Sequence, residues 1–337
     1  MMNNLAKEKE SRGAIFAWVA IVAALLWMFG FQGYAGGYGK IVDGELDLGA
    51  RASLWQDMRQ DYKRDGGEWG FGYFVPFAVA GLFWVRRKEL MATPVRPALW
   101  LGGFLLVLGF FIYFGGYKAN QKYIGYGAGQ IIALGMVFWF LGWEWFKKTF
   151  WLWALLGMFW PWRFLIEPIA TPLQHVMVFL TDKSLILTGV ASVKTGTAVM
   201  TDTVDPVTGE LIKLNVAAAC SGLRSLFALV MIGLVFAFMR VREEWKRWVL
   251  MACVPLVAVA GNFVRMMMLY WGSRWWGTEF AIGEGNETNA STYHIIAGLV
   301  VFGVAVVLMS LIVEVMNRGM AYFKKAKVAR RRVKAGG

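Results

Sequence analysis

Eight apolar runs of 17 to 23 residues recur along this 337-residue chain, at 14–34, 69–85, 98–116, 127–146, 149–167, 221–240, 248–270 and 294–316. About 20 helical residues cross a hydrocarbon core of roughly 30 Å. Lipid offers no hydrogen-bond partner to an open backbone, so runs of this length dictate helices. The fold class expected is an all-α polytopic membrane protein with about eight transmembrane helices. Composition agrees: 58% of the residues are hydrophobic, with 18 Trp and 25 Phe, more apolar surface than a soluble globule can bury. The first run is too long for the apolar core of a signal peptide and lacks an A-x-A cleavage site, so it reads as a retained span.

The formal charge of +13 raises the question of nucleic acid, but the basic residues lie in short clusters between apolar runs and in the tail "KKAKVARRRVKAGG". Positive-inside topology accounts for them, and no nucleic-acid partner is expected. An even number of spans puts both termini on one side. If that side is the cytoplasm, 21 of the 35 Lys and Arg fall there. The chain is therefore expected in a cell membrane as a multi-pass protein with cytoplasmic termini.

The segment 172–190, "PLQHVMVFLTDKSLILTGV", is apolar but interrupted by Asp182 and Lys183. As a span it would turn the basic cluster from Arg240 to Arg247 outward, so it is laid along the outer interface as an amphipathic helix. Beyond it, Val- and Thr-rich sequence around the turn "DPVTGE" at 205–210 predicts a small extracytoplasmic β-hairpin. That hairpin hands the chain to "AAACSG". Three regions follow: residues 1–148 as a four-helix transmembrane region, 149–316 as the core that carries chemistry, and 317–337 as a basic cytoplasmic tail.

On this topology three reactive groups fall at one depth, the outer end of three helices. Cys220 opens the sixth helix, Arg265 lies near the outer end of the seventh, and His294 opens the eighth. A cysteine at a helix N-terminus sits near unpaired N–H groups and the positive dipole end, which favour the thiolate. Histidine, with an ordinary pKa of about 6.5, can take a proton and return it to a leaving amine. Arginine stays protonated, so Arg265 serves to stabilise an oxyanion, clamp a carboxylate or hold the thiolate. Charge within a membrane is costly, so an intramembrane Arg marks function by default. The substrate-binding candidates are Arg224, at i+4 from Cys220, together with Ser221 and Asn262. Cys253 lies twelve residues before Arg265, roughly 18 Å along the helix, and is read as packing. His175 has no acidic or thiol neighbour at ligand spacing. Two cysteines make neither a disulfide scaffold nor a zinc site, and neither metal nor cofactor is expected.

The residues "ACSGLRS" at 219–225, "NFVR" at 262–265 and His294 at the start of the last helix resemble the Cys, Arg and His signatures of the exosortase/archaeosortase family. The resemblance runs over roughly 150–316. It implies a membrane cysteine protease and transpeptidase acting on exported proteins that end in a sorting tail: a short motif, one transmembrane helix and a basic cluster. By the same resemblance Cys220 is the nucleophile, Arg265 the electrostatic stabiliser and His294 the general acid and base. Partners are then tailed exported proteins and membrane lipid; the sequence sets no oligomeric state. Two rival readings are a transporter or channel for an anionic substrate and a scaffold that binds sorting tails without cleaving them. The polar groups crowd one end of the helices rather than spreading through the depth, which favours the enzyme.

Overall fold

The structure, a computed structural model, describes residues 22–36, 40–42, 45–47, 51–63, 69–215, 223–283 and 291–335. Cys220 and Ser221 lie outside the described residues. The chain divides into two compact units, Met1–Gly72 with Arg86–Pro161, and Tyr73–Val85 with Trp162–Gly337.

In the first unit, helix α1 (22–30) leads into β1 (Gly33–Ala35), β2 (Lys40–Val42), β3 (Glu45–Asp47) and β4 (Ala52–Ser53). Two short antiparallel pairs form, β1 with β4 and β2 with β3. Helix α2 (Leu54–Lys63) follows and buries Leu54, Asp57, Met58, Asp61 and Tyr62 along one face. Helix α3 (Val75–Val85) belongs to the second unit; α4 (Arg87–Met91), α5 (Leu99–Lys118), α6 (Lys122–Phe140) and α7 (Trp143–Gly157) complete the first. α5 and α6 pack as an antiparallel pair along a glycine seam. Gly102, Gly109 and Gly116 recur every seven residues, which keeps them on one face, and a Cβ at these positions would lie 2.5 Å from the Trp139 backbone nitrogen, 2.6 Å from Ile132 and 2.2 Å from the Tyr34 hydroxyl. Without side chains there, the two backbones approach closely enough to exclude lipid.

The second unit contains α8 (Ile166–Leu187), a three-stranded antiparallel sheet of β5 (Ser192–Thr195), β6 (Ala198–Val204) and β7 (Leu211–Asn215), then α9 (Leu223–Arg240), α10 (Glu244–Trp276), α11 (Thr278–Ala281) and α12 (Thr292–Ala335). The β6–β7 turn falls on "DPVTGE", but β5 adds a third strand through the turn at Gly196, so the predicted hairpin is one strand short of the sheet. Met177, Val178 and Leu185 of α8, Val199, Ile212 and Leu214 of the sheet, and Met266 and Tyr270 of α10 form one buried core.

Among the described residues, four helices are long and apolar enough to cross a membrane: α5, α6, α10 and the Thr292–Gly319 part of α12. Gly70–Val85 and Leu226–Arg240 are apolar but shorter. The run expected at 149–167 is not one helix. α7 ends at Gly157, and Pro161, which has no N–H to continue a helical ladder, stands in the break before α8. Beyond it, α8 is a single 22-residue helix that begins before the interfacial segment expected from 172. The basic C-terminal segment is helical too, since α12 continues unbroken to Ala335.

Candidate active site

α10 and α12 run antiparallel, and their register sets the site. Lys246 Nζ donates to Asn317 Oδ1 at 2.8 Å at one end, Gly261 lies against Val301 in the middle, and Gly272 lies under the ring of Tyr293 at the other. A Cβ on Gly272 would come within 2.7 Å of Tyr293 Cε1, so only glycine lets that ring lie across α10. The Tyr293 hydroxyl then donates to the Met268 carbonyl at 3.0 Å. The start of α12 is fixed independently. Ser291 Oγ accepts the backbone N–H of His294 at 3.0 Å, the geometry of a helix N-cap, and donates to the Ala281 carbonyl at 3.1 Å.

These contacts bring the side chains of Arg265 and His294 together, with Arg265 Nη2 and His294 Nε2 2.5 Å apart. A guanidinium has donors only, so Nε2 must be the acceptor, and neutral His294 carries its proton on Nδ1. Nδ1 is buried and has no hydrogen-bond partner among the described residues. Asn262, 1% exposed, lies one turn from Arg265 on the same helix.

Strand β7 ends at Asn215 and α9 begins at Leu223. The sheet is anchored to α10 by more than the apolar core. Thr203 and Tyr270 share a hydroxyl hydrogen bond of 2.8 Å. Asp205 Oδ1 accepts the N–H groups of Val207 at 2.8 Å and Thr208 at 3.1 Å, while Oδ2 accepts the N–H of Thr278 at 2.6 Å, the first residue of α11. One buried carboxylate thus ties the β6–β7 turn to the joint after α10. Burial works against its charge, but the bonds from Thr278, Val207 and Thr208 outweigh burial and hold its pKa at about 2. Asp205 was not singled out in the sequence; the signal available was Asp opening a turn. Ser291 was equally legible as a Ser three residues before His294, an N-cap spacing.

Of the six candidate residues, the structure brings Arg265 and His294 into contact and sets Asn262 on the adjoining turn. Arg224 is the second residue of α9, and its side chain is not described. His175 is exposed on α8 and Cys253 is a free thiol within α10; neither joins the pair.

A mostly helical protein with several helices apolar enough to cross a membrane, whose Arg265 and His294 meet between two of them, defines the class. Residues 63–311 match the family described as Transmembrane exosortase (Exosortase_EpsH), and the chain belongs to that family. The match begins well before residue 150, so it takes in most of the first unit as well as the second. No curated protein and no solved structure matches the chain. Family membership points to a membrane protease or transpeptidase that processes exported proteins.

Proposed function

We propose that this chain is a cysteine protease and transpeptidase that cleaves C-terminal sorting tails from exported proteins, with Cys220 as nucleophile, His294 as general acid and base, and Arg265 as oxyanion stabiliser. Arg224, Ser221 and Asn262 are assigned to substrate binding. The observation that carries this reading is the Arg265–His294 contact, made between two membrane-spanning helices whose packing glycines and caps hold it in place. A half-buried guanidinium facing an imidazole adds little to stability by itself, because the two groups carry no opposite charges. The pair is useful chemically, because the two can divide charge stabilisation and proton transfer between them.

The tautomer gives the order of events. In the resting contact Arg265 covers Nε2, the lone pair that must accept the thiol proton. A substrate carbonyl entering the site draws the guanidinium onto its own oxygen and frees Nε2. The Cys220 proton passes to Nε2, sulfur attacks the carbonyl carbon, and Arg265 faces the oxyanion. The C–N bond then breaks, the leaving amine takes the proton from His294, and the tail departs, leaving a thioester on Cys220. Water attack on the thioester completes proteolysis; attack by an amine or other surface nucleophile completes transfer. A tail anchored by its own helix is confined to the membrane plane, which supplies much of the proximity the reaction needs.

The test is Cys220→Ala in cells expressing a tailed substrate. Loss of tail removal with normal membrane insertion is expected, while Cys220→Ser traps or slows the acyl step. Undiminished processing by Cys220→Ala refutes the assignment.

A further inference from the structure

The first unit holds a cavity of about 660 Å³ that the proposed chemistry does not use. Its walls come from α1, from Trp55 and Met58 of α2, from Gly129 and Met136 of α6, and from Trp160. Among the described residues, no ionisable side chain lines it. The polar side chain next to Gly129 on α6 is spent elsewhere: Gln130 Nε2 donates to the Trp153 carbonyl at 2.6 Å, and Gln130 Oε1 accepts from Trp160 Nε1 at 3.1 Å. That second bond fixes the indole so that it presents its carbon face. Gly129 is needed for the same wall, since a Cβ there would lie 2.8 Å from Trp160.

Depth and size decide what fits. α6 is long and apolar enough to cross a membrane, and residues 129–136 are the middle of its Lys122–Phe140 length, which in a spanning helix is the depth of the hydrocarbon. Leu26 and Phe31 line the cavity and are 63% and 76% exposed, so its rim is open and apolar. Water gains no partners from such walls, and an empty space of this size forfeits dispersion contacts on every side. A substrate helix is too large: about 10 Å across, it fills some 1,200 Å³ over ten residues. The medium at that depth is hydrocarbon chain, and the volume lies in the range of small-ligand pockets, about 300–1,000 Å³.

We propose that this cavity is a binding site for one acyl chain of a membrane phospholipid, seated between α1, α2 and the middle of α6. The lipid serves as a fixed component of the first unit, filling the gap that the glycine of α6 opens beneath Trp160.

The experiment places the full chain in phosphatidylcholine vesicles containing a small fraction of phosphatidylcholine with a mid-chain diazirine, irradiates, and maps adducts by peptide mass spectrometry. Met58 and Met136 are expected to be labelled at least five-fold more than Phe111, an α5 residue that is 73% exposed and outside the cavity. Met136→Trp, which fills the space, should cut labelling at Met58 five-fold or more and leave Phe111 unchanged; Met58→Trp should do the same to Met136. Unchanged Phe111 labelling shows that each variant has inserted. Equal labelling of Met58 and Phe111, or labelling of Met58 that neither tryptophan reduces, overturns the proposal. So does finding the cavity filled by a substrate tail or by residues 1–21 of the chain itself, seen as peptide–peptide adducts from a photoactivatable residue at Met136.

Discussion

Arg265 and His294 differ in what each can lose. Arg265→Lys keeps the charge but replaces a planar fork by a point donor, and a single ammonium cannot hold Nε2 and a carbonyl oxygen in turn with fixed geometry. Turnover of a tailed substrate is expected to fall by about 10²-fold or more, the scale of losing one oxyanion donor. Wild-type turnover in a quantitative cleavage assay would reduce Arg265 to a generic countercharge. Ser291→Ala removes the cap on the turn that carries His294, worth about 1 kcal/mol of local helix stability. Its signature is a lower turnover at unchanged expression and membrane insertion, since the rest of α12 is held by its contacts with α10.

Among the elements, the α10–α12 pair holds Arg265 against His294, and the sheet packs on α10. Gly272→Ala puts a methyl 2.7 Å from the Tyr293 ring, and the ring has to move. A loss of about 1–3 kcal/mol in thermal unfolding, with a parallel loss of activity, is expected from such overpacking. Asp205 acts through charge. Its folded pKa of about 2 lies below the ordinary 3.8, so the stabilisation is fully present above pH 4 and disappears as pH falls through 2. The contribution is on the order of 1 kcal/mol once solvent screening is allowed for. Asp205→Asn should flatten the fall in melting temperature between pH 4 and pH 2, because an amide does not titrate in that window. An unchanged slope in that window would show that Asp205 is not the titrating group.

For the whole molecule, α10 carries the clearest depth markers. Trp245 and Trp248 are exposed near one end and Trp275 and Trp276 near the other, 27 residues apart from 248 to 275, or about 40 Å of helix. That matches a bilayer with its interfacial regions, where Trp concentrates. Between the first pair sit Lys246 and Arg247, buried at 3% exposure and held by Glu243, Glu244 and Asn317. If this basic end faces the cytoplasm, a membrane-impermeant thiol reagent added outside intact cells should label Cys220 and spare Cys253. Labelling of Cys220 only after the cytoplasmic face is opened would reverse the proposed sidedness.

Much of this was legible residue by residue. Length and hydropathy were enough for α5, α6, α10 and the first part of α12, because a span must satisfy its own backbone and nothing outside the segment can change that. The turn at 205–210 and the chemistry available to Cys, Arg and His were equally local. Contact between Arg265 and His294 was not local: it depends on glycines that let α12 lie against α10 in one register, and on a Ser cap that sets where α12 begins. The third strand, the Asp205 clasp and the apolar cavity beside Trp160 also come from groups far apart in the chain. Their energies exist only once packing has excluded solvent and lipid from between them, so only the tertiary structure could decide them.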